Sequence, residues 1–202
     1  TGVLPMCLGE ATKVSQFLLD SDKAYRARIK LGERTDTADS EGEVIAKVEG
    51  FTIDEAAVKA ALRGFEGEIE QVPPMYSALK QDGQPLYKLA RQGKTVERKA
   101  RAITIYSIEL TDVDADANEI EVEVDCSKGT YIRTIADDLG KILGCGGHII
   151  GLRRLRAGVF SIEDSVTIET LEAEKKAGGV DAVDAHLMPM DKAIDDLPAV
   201  QL

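Results

Sequence analysis

The stretch CSKGTYIRTIADDLG, Cys126–Gly140, gathers residue types suited to holding an anion. Gly129 allows a backbone to approach a ligand closely. Thr130 is placed to cap a following helix, whose first turn would offer unpaired N–H groups to an anion. Arg133 falls in that first turn, where a cation opposes the helix dipole. A carboxylate or phosphate beside Arg133 would compensate it. A solvent-exposed arginine is the plainer reading of the same residue.

Other clusters carry less chemistry. GCGG, Gly144–Gly147, lacks the preceding strand, the following helix and the Lys-Ser/Thr pair of a phosphate loop, so it reads as a helix stop and turn. Asp137 and Asp138 are neighbours on a helix and do not face each other, which makes them two solvated acids. Cys7, Cys126 and Cys145 are odd in number and form no CxxC, so neither a disulfide framework nor a metal site is expected. His148 and His186 have no ligand spacing and read as ordinary residues.

The chain of 202 residues carries a formal net charge of −11, which taken whole argues against a nucleic-acid partner. The distribution argues otherwise. Residues 23–34 place Lys23, Arg26, Arg28, Lys30 and Arg34 against Glu33. Residues 80–101, including Lys80 and Lys88, hold seven cations against Asp82 and Glu97. Residues 126–158, including Lys128, Arg153 and Arg154, hold six against Asp137 and Asp138. Such segregation predicts a basic face on an acidic body. No apolar run approaches a membrane span and no signal peptide is visible.

These residues need a scaffold, and periodicity outlines one. EATKVSQFLL predicts an amphipathic helix with Val14, Phe17 and Leu18 on one side. In KAYRARIKLG, Tyr25, Ala27, Ile29 and Leu31 alternate with Arg26, Arg28 and Lys30, the pattern of a half-buried strand with one cationic face. A polar loop follows, and EVIAKVE reads as a partner strand. TIDEAAVKAALRGF predicts a helix with Thr52 as N-cap and Gly64 near its end. From Glu66 to Arg101 the chain reads as a long, partly mobile excursion with tandem prolines, a DG turn at Asp82 and a short helix stopped by Gly93.

AITIYSIELTDVDADANEIEVEVDCS predicts a β-hairpin, marked by Ile103, Ile105 and Ile108 and by Ile120, Val122 and Val124. TYIRTIADDLGKILG predicts a helix burying Ile132, Ile135, Leu139 and either Ile142 or Leu143. GHIIGLRRLRAGVF is strand-like. The C-terminal part from TIETLEAEKK is helical, then loose and acidic. Strands and helices mix without regular βαβ alternation, so the expected class is α+β, a mixed and largely antiparallel sheet with flanking helices.

Four long segments carry a resemblance: TGVLPMCLGEATKVSQFLLDSDKAYRARIKLGERTDTADSEGE, PPMYSALKQDGQPLYKLARQG, CSKGTYIRTIADDLG and HIIGLRRLRAGVF. In this order, over residues 1 to about 160, they resemble the TruB family of tRNA pseudouridine synthases. LMPMD extends the likeness more weakly.

The resemblance implies a cofactor-free isomerase that converts a T-loop uridine of tRNA to pseudouridine, breaking the N-glycosidic bond and rejoining the base through carbon. The target base is flipped out of its stack. Tyr25 is similar in position to the tyrosine that stacks on it, and Tyr131 and Leu152 match pocket positions. Arg133 matches the arginine that pairs with the catalytic aspartate. Residues 73–101 match a segment that closes over RNA. Arg26, Arg28, Lys80, Lys88, Lys128, Arg153 and Arg154 are the expected RNA contacts. The implied partner is the tRNA T-arm stem-loop, bound by a cytoplasmic monomer without membrane attachment.

The family's nucleophilic aspartate lies in a motif Asp-Pro-Leu-Ala-Thr-Gly, and only its Thr-Gly matches, at Thr1–Gly2. The chain is therefore expected to be an inactive fragment. Residues 1–185 would form the central part of the catalytic domain and 186–202 the start of a truncated C-terminal region. The anionic partner of Arg133 is then expected to be missing. The alternative function is a non-catalytic RNA-binding module, for which stacking aromatics and a basic face suffice.

Overall fold

The computed structural model describes residues 1–81 and 83–195. Asp82 of the expected DG turn, and residues 196–202 of the expected C-terminal region, lie outside the described residues. In chain order the elements are α1 (Ser15–Asp20), β1 (Lys23–Leu31), β2 (Glu33–Thr35), β3 (Val44–Lys47), α2 (Glu55–Arg63) and β4 (Gly67–Gln71). Then come β5 (Lys80–Gln81), β6 (Gln84–Pro85), α3 (Leu86–Ala90), β7 (Arg101–Asp114), β8 (Glu119–Cys126) and α4 (Ile132–Ile142). The chain continues through β9 (Gly147–Ala157), β10 (Phe160–Ser161), α5 (Ile168–Gly178) and α6 (Val180–Asp184). This is an α+β fold. Among the described residues no helix is long and apolar enough to cross a membrane.

Contacts divide the chain into two compact units, one from Tyr25 to Arg153 and one joining Thr1–Ala24 to the chain from Arg154 onward. In the first unit the sheet runs β9–β1–β8–β7–β4. β4 pairs antiparallel with β7, and β7 antiparallel with β8, with register shifts between Ile105 and Ser107 and between Leu110 and Asp112. β2 and β3 form a separate antiparallel pair, and all four β3 residues are exposed.

One face of the sheet is apolar because the period-2 pattern puts it there. Ala27, Ile29 and Leu31 of β1, Ile103, Ile105 and Ile108 of β7, and Ile120, Val122 and Val124 of β8 are all buried. They form one cluster with Val58 and Leu62 of α2 and with Ile132, Ile135, Ala136 and Leu139 of α4. Leu143 packs against this cluster while Ile142 is 61% exposed, which decides between the two residues left open by periodicity. At Gly140 a Cβ would lie 2.1 Å from the Gly147 backbone nitrogen, so only glycine lets α4 approach β9 this closely.

The opposite face is ionic. Across β7 and β8, Glu109 faces Glu123, Asp112 faces Glu121 and Asp114 faces Glu119. Like charges so placed repel. β1 supplies the counter-charges: Arg26 binds Glu123 at 2.6 Å and Arg28 binds Glu119 at 2.7 Å. The Glu123 carboxylate, through hydrogen bond and charge, raises the Arg26 guanidinium above its ordinary value.

Two local expectations are corrected, one at the start of α2 and one in the C-terminal part. The N-cap of α2 is Asp54, not Thr52: its carboxylate accepts from the N–H groups of Ala56 at 2.9 Å and Ala57 at 3.3 Å. Between these, segment 73–101 holds the short elements β5, β6 and α3 and has buried members, among them Pro73, Ser77 and Leu86. The acidic C-terminal part holds a short helix, α6, after α5, which Thr167 caps.

In the second unit Thr1–Val3 pair with Arg154, in the part of β9 that belongs to this unit. Gly2 bridges Arg154 in parallel sense, and Arg154 Nε donates to the Val3 carbonyl at 2.6 Å. Arg154 is thus engaged with backbone.

Candidate active site

Arg133 stands on the first turn of α4, as expected, and has partners within this chain. Its Nη1 lies 2.7 Å from Asp39 Oδ2 and 3.5 Å from the Thr37 carbonyl oxygen, and its Nη2 donates to the Tyr76 carbonyl at 2.6 Å. The expected missing anion is corrected by Asp39. This pairing offsets the unfavourable position of a cation at a helix N-terminus.

The loop that supplies Asp39 is built to hold it. The Thr37 hydroxyl donates to Asp39 Oδ1 at 2.6 Å, and the Glu41 N–H donates to the same oxygen at 3.1 Å. Glu43 N–H caps back onto Asp36 Oδ1 at 2.9 Å. The Ala38 carbonyl accepts from Ile149 N–H of β9 at 3.0 Å, which ties the loop to the sheet.

The turn before α4 differs from expectation in two ways. Thr130 does not cap the helix: its hydroxyl donates to the Ser127 carbonyl at 2.9 Å, and the N-cap residue is Tyr131. Gly129 is required by its φ of +81°, while the space around it is open. Ser127 anchors the turn to β7, donating its N–H to the Thr104 carbonyl at 2.8 Å and accepting from Thr104 N–H at 2.9 Å. Gln71, at the end of β4, accepts from Tyr131 N–H at 2.8 Å and donates to its carbonyl at 3.1 Å.

The remaining predicted residues follow from sheet order. The Arg26–Glu123 and Arg28–Glu119 pairs run in opposite chain directions, so β1 and β8 are antiparallel. Tyr25 therefore lies near the start of β1, beside the exit of β8, where the Cys126–Tyr131 turn leaves. Its ring is half-buried against the core cluster. Leu152 is on β9, the other neighbour of β1, three residues beyond the Ile149 contact of the Asp39 loop, and is 37% exposed. The cavity of about 210 Å³ lined by Phe51, Ile53, Val58, Leu143 and Cys145 includes none of these residues.

One charge expectation changes. Asp137 is paired, not merely solvated: Arg34 Nε donates to its Oδ1 at 2.7 Å, and Lys141 lies 2.7 Å from its Oδ2. Burial alone would raise this carboxyl, but the hydrogen bonds and charges of Arg34 and Lys141 hold it below its ordinary value. In segment 80–101, by contrast, Lys80, Lys88, Lys94, Lys99 and Arg101 are exposed and have no ion-pair partner among the described residues. Arg91 stacks over the Tyr87 ring at 5.6 Å.

Sequence reasoning missed Asp39, Gln71 and the Tyr76 carbonyl. TDTADSEG was legible only as a polar loop, and EGEIEQ was not read as a strand. A glutamine ending a strand carries no signal of which backbone it will hold.

A family model described as TruB family pseudouridylate synthase (N terminal domain) matches residues 1–132. The chain belongs to the TruB family. A second model, tRNA pseudouridylate synthase B C-terminal domain, matches residues 133–195. The two meet inside α4, so Tyr131 falls in the first and Arg133 in the second. The chain is 55% identical over 201 residues to tRNA pseudouridine synthase B of Pseudomonas fluorescens and 53% identical over 203 residues to that of Saccharophagus degradans. Each match covers 100% of this chain and 65% of the relative, so the chain spans just under two thirds of their length.

Among solved structures, a Cbf5-Nop10-Gar1 complex matches with a TM-score of 0.72 and 30% identity, covering 98% of this chain and 50% of that one. An H/ACA RNP bound to a substrate RNA containing 2'-deoxyuridine matches with a TM-score of 0.66 and 26% identity, covering 95% and 47%. The fold is thus shared with chains of both complexes.

Proposed function

We propose that the complete protein is a tRNA pseudouridine synthase that isomerises a uridine in the T-loop. The observation that carries this is Arg133, fixed by the Asp39 carboxylate and the Tyr76 carbonyl on the turn where the TruB family places its carboxylate-pairing arginine. A guanidinium has five donors. The bonds to Asp39, Thr37 and Tyr76 occupy Nη1 and one side of Nη2, which leaves donors for the carboxylate of the reaction.

In this reading Asp39 positions Arg133 and is not the nucleophile, since its oxygens already receive three donors. Tyr25 stacks on the flipped base. The C1′–N1 bond breaks, the C1′–C5 bond forms, and the C5 proton leaves to a base. In this reading the Tyr25 hydroxyl moves that proton, and the nitrogen freed from C1′ takes up a proton, so that the product is an isomer of the substrate. Tyr131 and Leu152 line the pocket. No step needs a cofactor.

RNA is held electrostatically by the exposed cations of segment 80–101, joined by Arg153. Lys128 adds a cation on the turn before α4. Arg26 and Arg28 carry charge already balanced by β8. Cys7, Cys126 and Cys145 form no disulfide, which suits a reducing cytoplasm.

The test is release of the C5 hydrogen from labelled uridine in unmodified tRNA by the complete protein. Turnover confined to the T-loop supports the reading. RNA binding without hydrogen release would establish a binding module instead.

A further inference from the structure

Gln71 is 5% exposed, and both ends of its amide are used on one residue. Oε1 accepts from Tyr131 N–H at 2.8 Å and Nε2 donates to the Tyr131 carbonyl at 3.1 Å. Tyr131 needs such a partner. It is the N-cap of α4, with φ −101° and ψ 104°, and no side chain caps the helix from that position. Thr130 is turned back to Ser127. Without Gln71 the part-buried Tyr131 N–H would lose the partner that the structure gives it, and an orphan donor withdrawn from water is costly.

A second rung joins the same two segments. Five residues after Gln71, the Tyr76 carbonyl accepts from Arg133 Nη2 at 2.6 Å. Residues 71–76 and 131–133 are therefore joined twice, once through Tyr131 backbone and once through the Arg133 side chain. Segment 73–101, with its exposed cations, starts between the two rungs.

We propose that Gln71 is a positioning residue: it fixes the Tyr131 backbone, and through it the placing of the Tyr131 ring and the Arg133 guanidinium in the reaction. This rests on the pseudouridine synthase reading. It makes Gln71 important to rate without touching RNA.

The experiment compares the complete protein with its Gln71→Met and Gln71→Glu variants in single-turnover rate, RNA affinity and melting temperature, across pH. Gln71→Met keeps the side-chain length and removes both hydrogen bonds. The rate is expected to fall roughly tenfold to a hundredfold, because small misplacements of reacting groups cost that much. RNA affinity is expected to stay within about twofold, since every cation facing phosphate is kept.

Gln71→Glu adds a signature that a merely structural role would not give. A neutral carboxyl can accept from the Tyr131 N–H and donate to its carbonyl, as the amide does. Ionised, it loses the donor and faces the carbonyl oxygen. Its rate relative to the parent is therefore expected to climb as pH falls, while Gln71→Met shows no such trend. A parent-like rate for Gln71→Met overturns the proposal. So does a rate loss that follows melting temperature alone, with no pH-dependent recovery in Gln71→Glu. A parent that forms no pseudouridine overturns the functional reading and this proposal together.

Discussion

The Arg133 guanidinium and the Asp39 carboxylate meet at 2.7 Å across 94 residues of chain. Both side chains are about three quarters buried, so the pair is weakly screened. Arg133→Lys keeps the charge but loses the planar fork that reaches Asp39 and Tyr76 together. Its single-turnover rate should fall sharply with RNA binding nearly intact. Asp39→Asn should lower the rate similarly, and losing a charged hydrogen-bond acceptor should cost about 1.5–3 kcal/mol of stability. Because the two act as one unit, the double variant should be no slower than the slower single. Additive losses would show that they act independently.

Salt dependence should separate the two sets of cations. Removing Lys80 or Lys88 should weaken RNA binding. It should also lower the slope of log affinity against log salt by about one for each phosphate no longer neutralised. Arg26→Gln and Arg28→Gln should leave that slope unchanged. Their effect should be on the sheet, where each exposes repulsion between β7 and β8 acids at a cost of roughly 0.2–1 kcal/mol. Equal slope changes from all four substitutions would place β1 at the RNA.

Much of this scaffold was legible because its core follows simple periods. Ala27, Ile29 and Leu31 alternate, and Ile132, Ile135 and Leu139 repeat every three or four residues, so local pattern and burial agree. The Arg133 motif was legible because a cation on a first helical turn demands a partner. Which partner was not legible. Asp39 comes from a loop 94 residues away, and only the tertiary fold brings it there. Arg26 and Arg28 show the same limit: alternation placed them on one face but could not show that Glu123 and Glu119 wait on the neighbouring strand.

Asp137 should govern part of the acid stability. Burial would raise its carboxyl, but Arg34 and Lys141 hold it below its ordinary value. A carboxyl depressed in the folded state stabilises the fold above its unfolded pKa of about 3.9. That stabilisation is lost as pH falls through the lower, folded value. Unfolding free energy measured by denaturant from pH 7 down to pH 2 should therefore drop on the acid side. Asp137→Asn should start lower and flatten that drop. An unchanged acid limb in the variant would show that other carboxylates control it.

Tyr25 distinguishes a core tyrosine from a stacking one. It is half-buried on the apolar side of β1 and packs against the core cluster, which either role would produce. A core role makes Tyr25→Phe mild and lets Tyr25→Leu act chiefly on stability. In the stacking role, Tyr25→Leu loses base stacking worth on the order of 1–3 kcal/mol. Tyr25→Phe keeps the ring but lacks the hydroxyl that would move a proton at the base carbon. Both should then cut turnover strongly while melting temperature barely moves. Single-turnover rate, RNA affinity and melting temperature of the two variants in the complete protein decide the matter. Rates near the parent's, or losses in proportion to lost stability, would make Tyr25 a structural residue and remove it from the site.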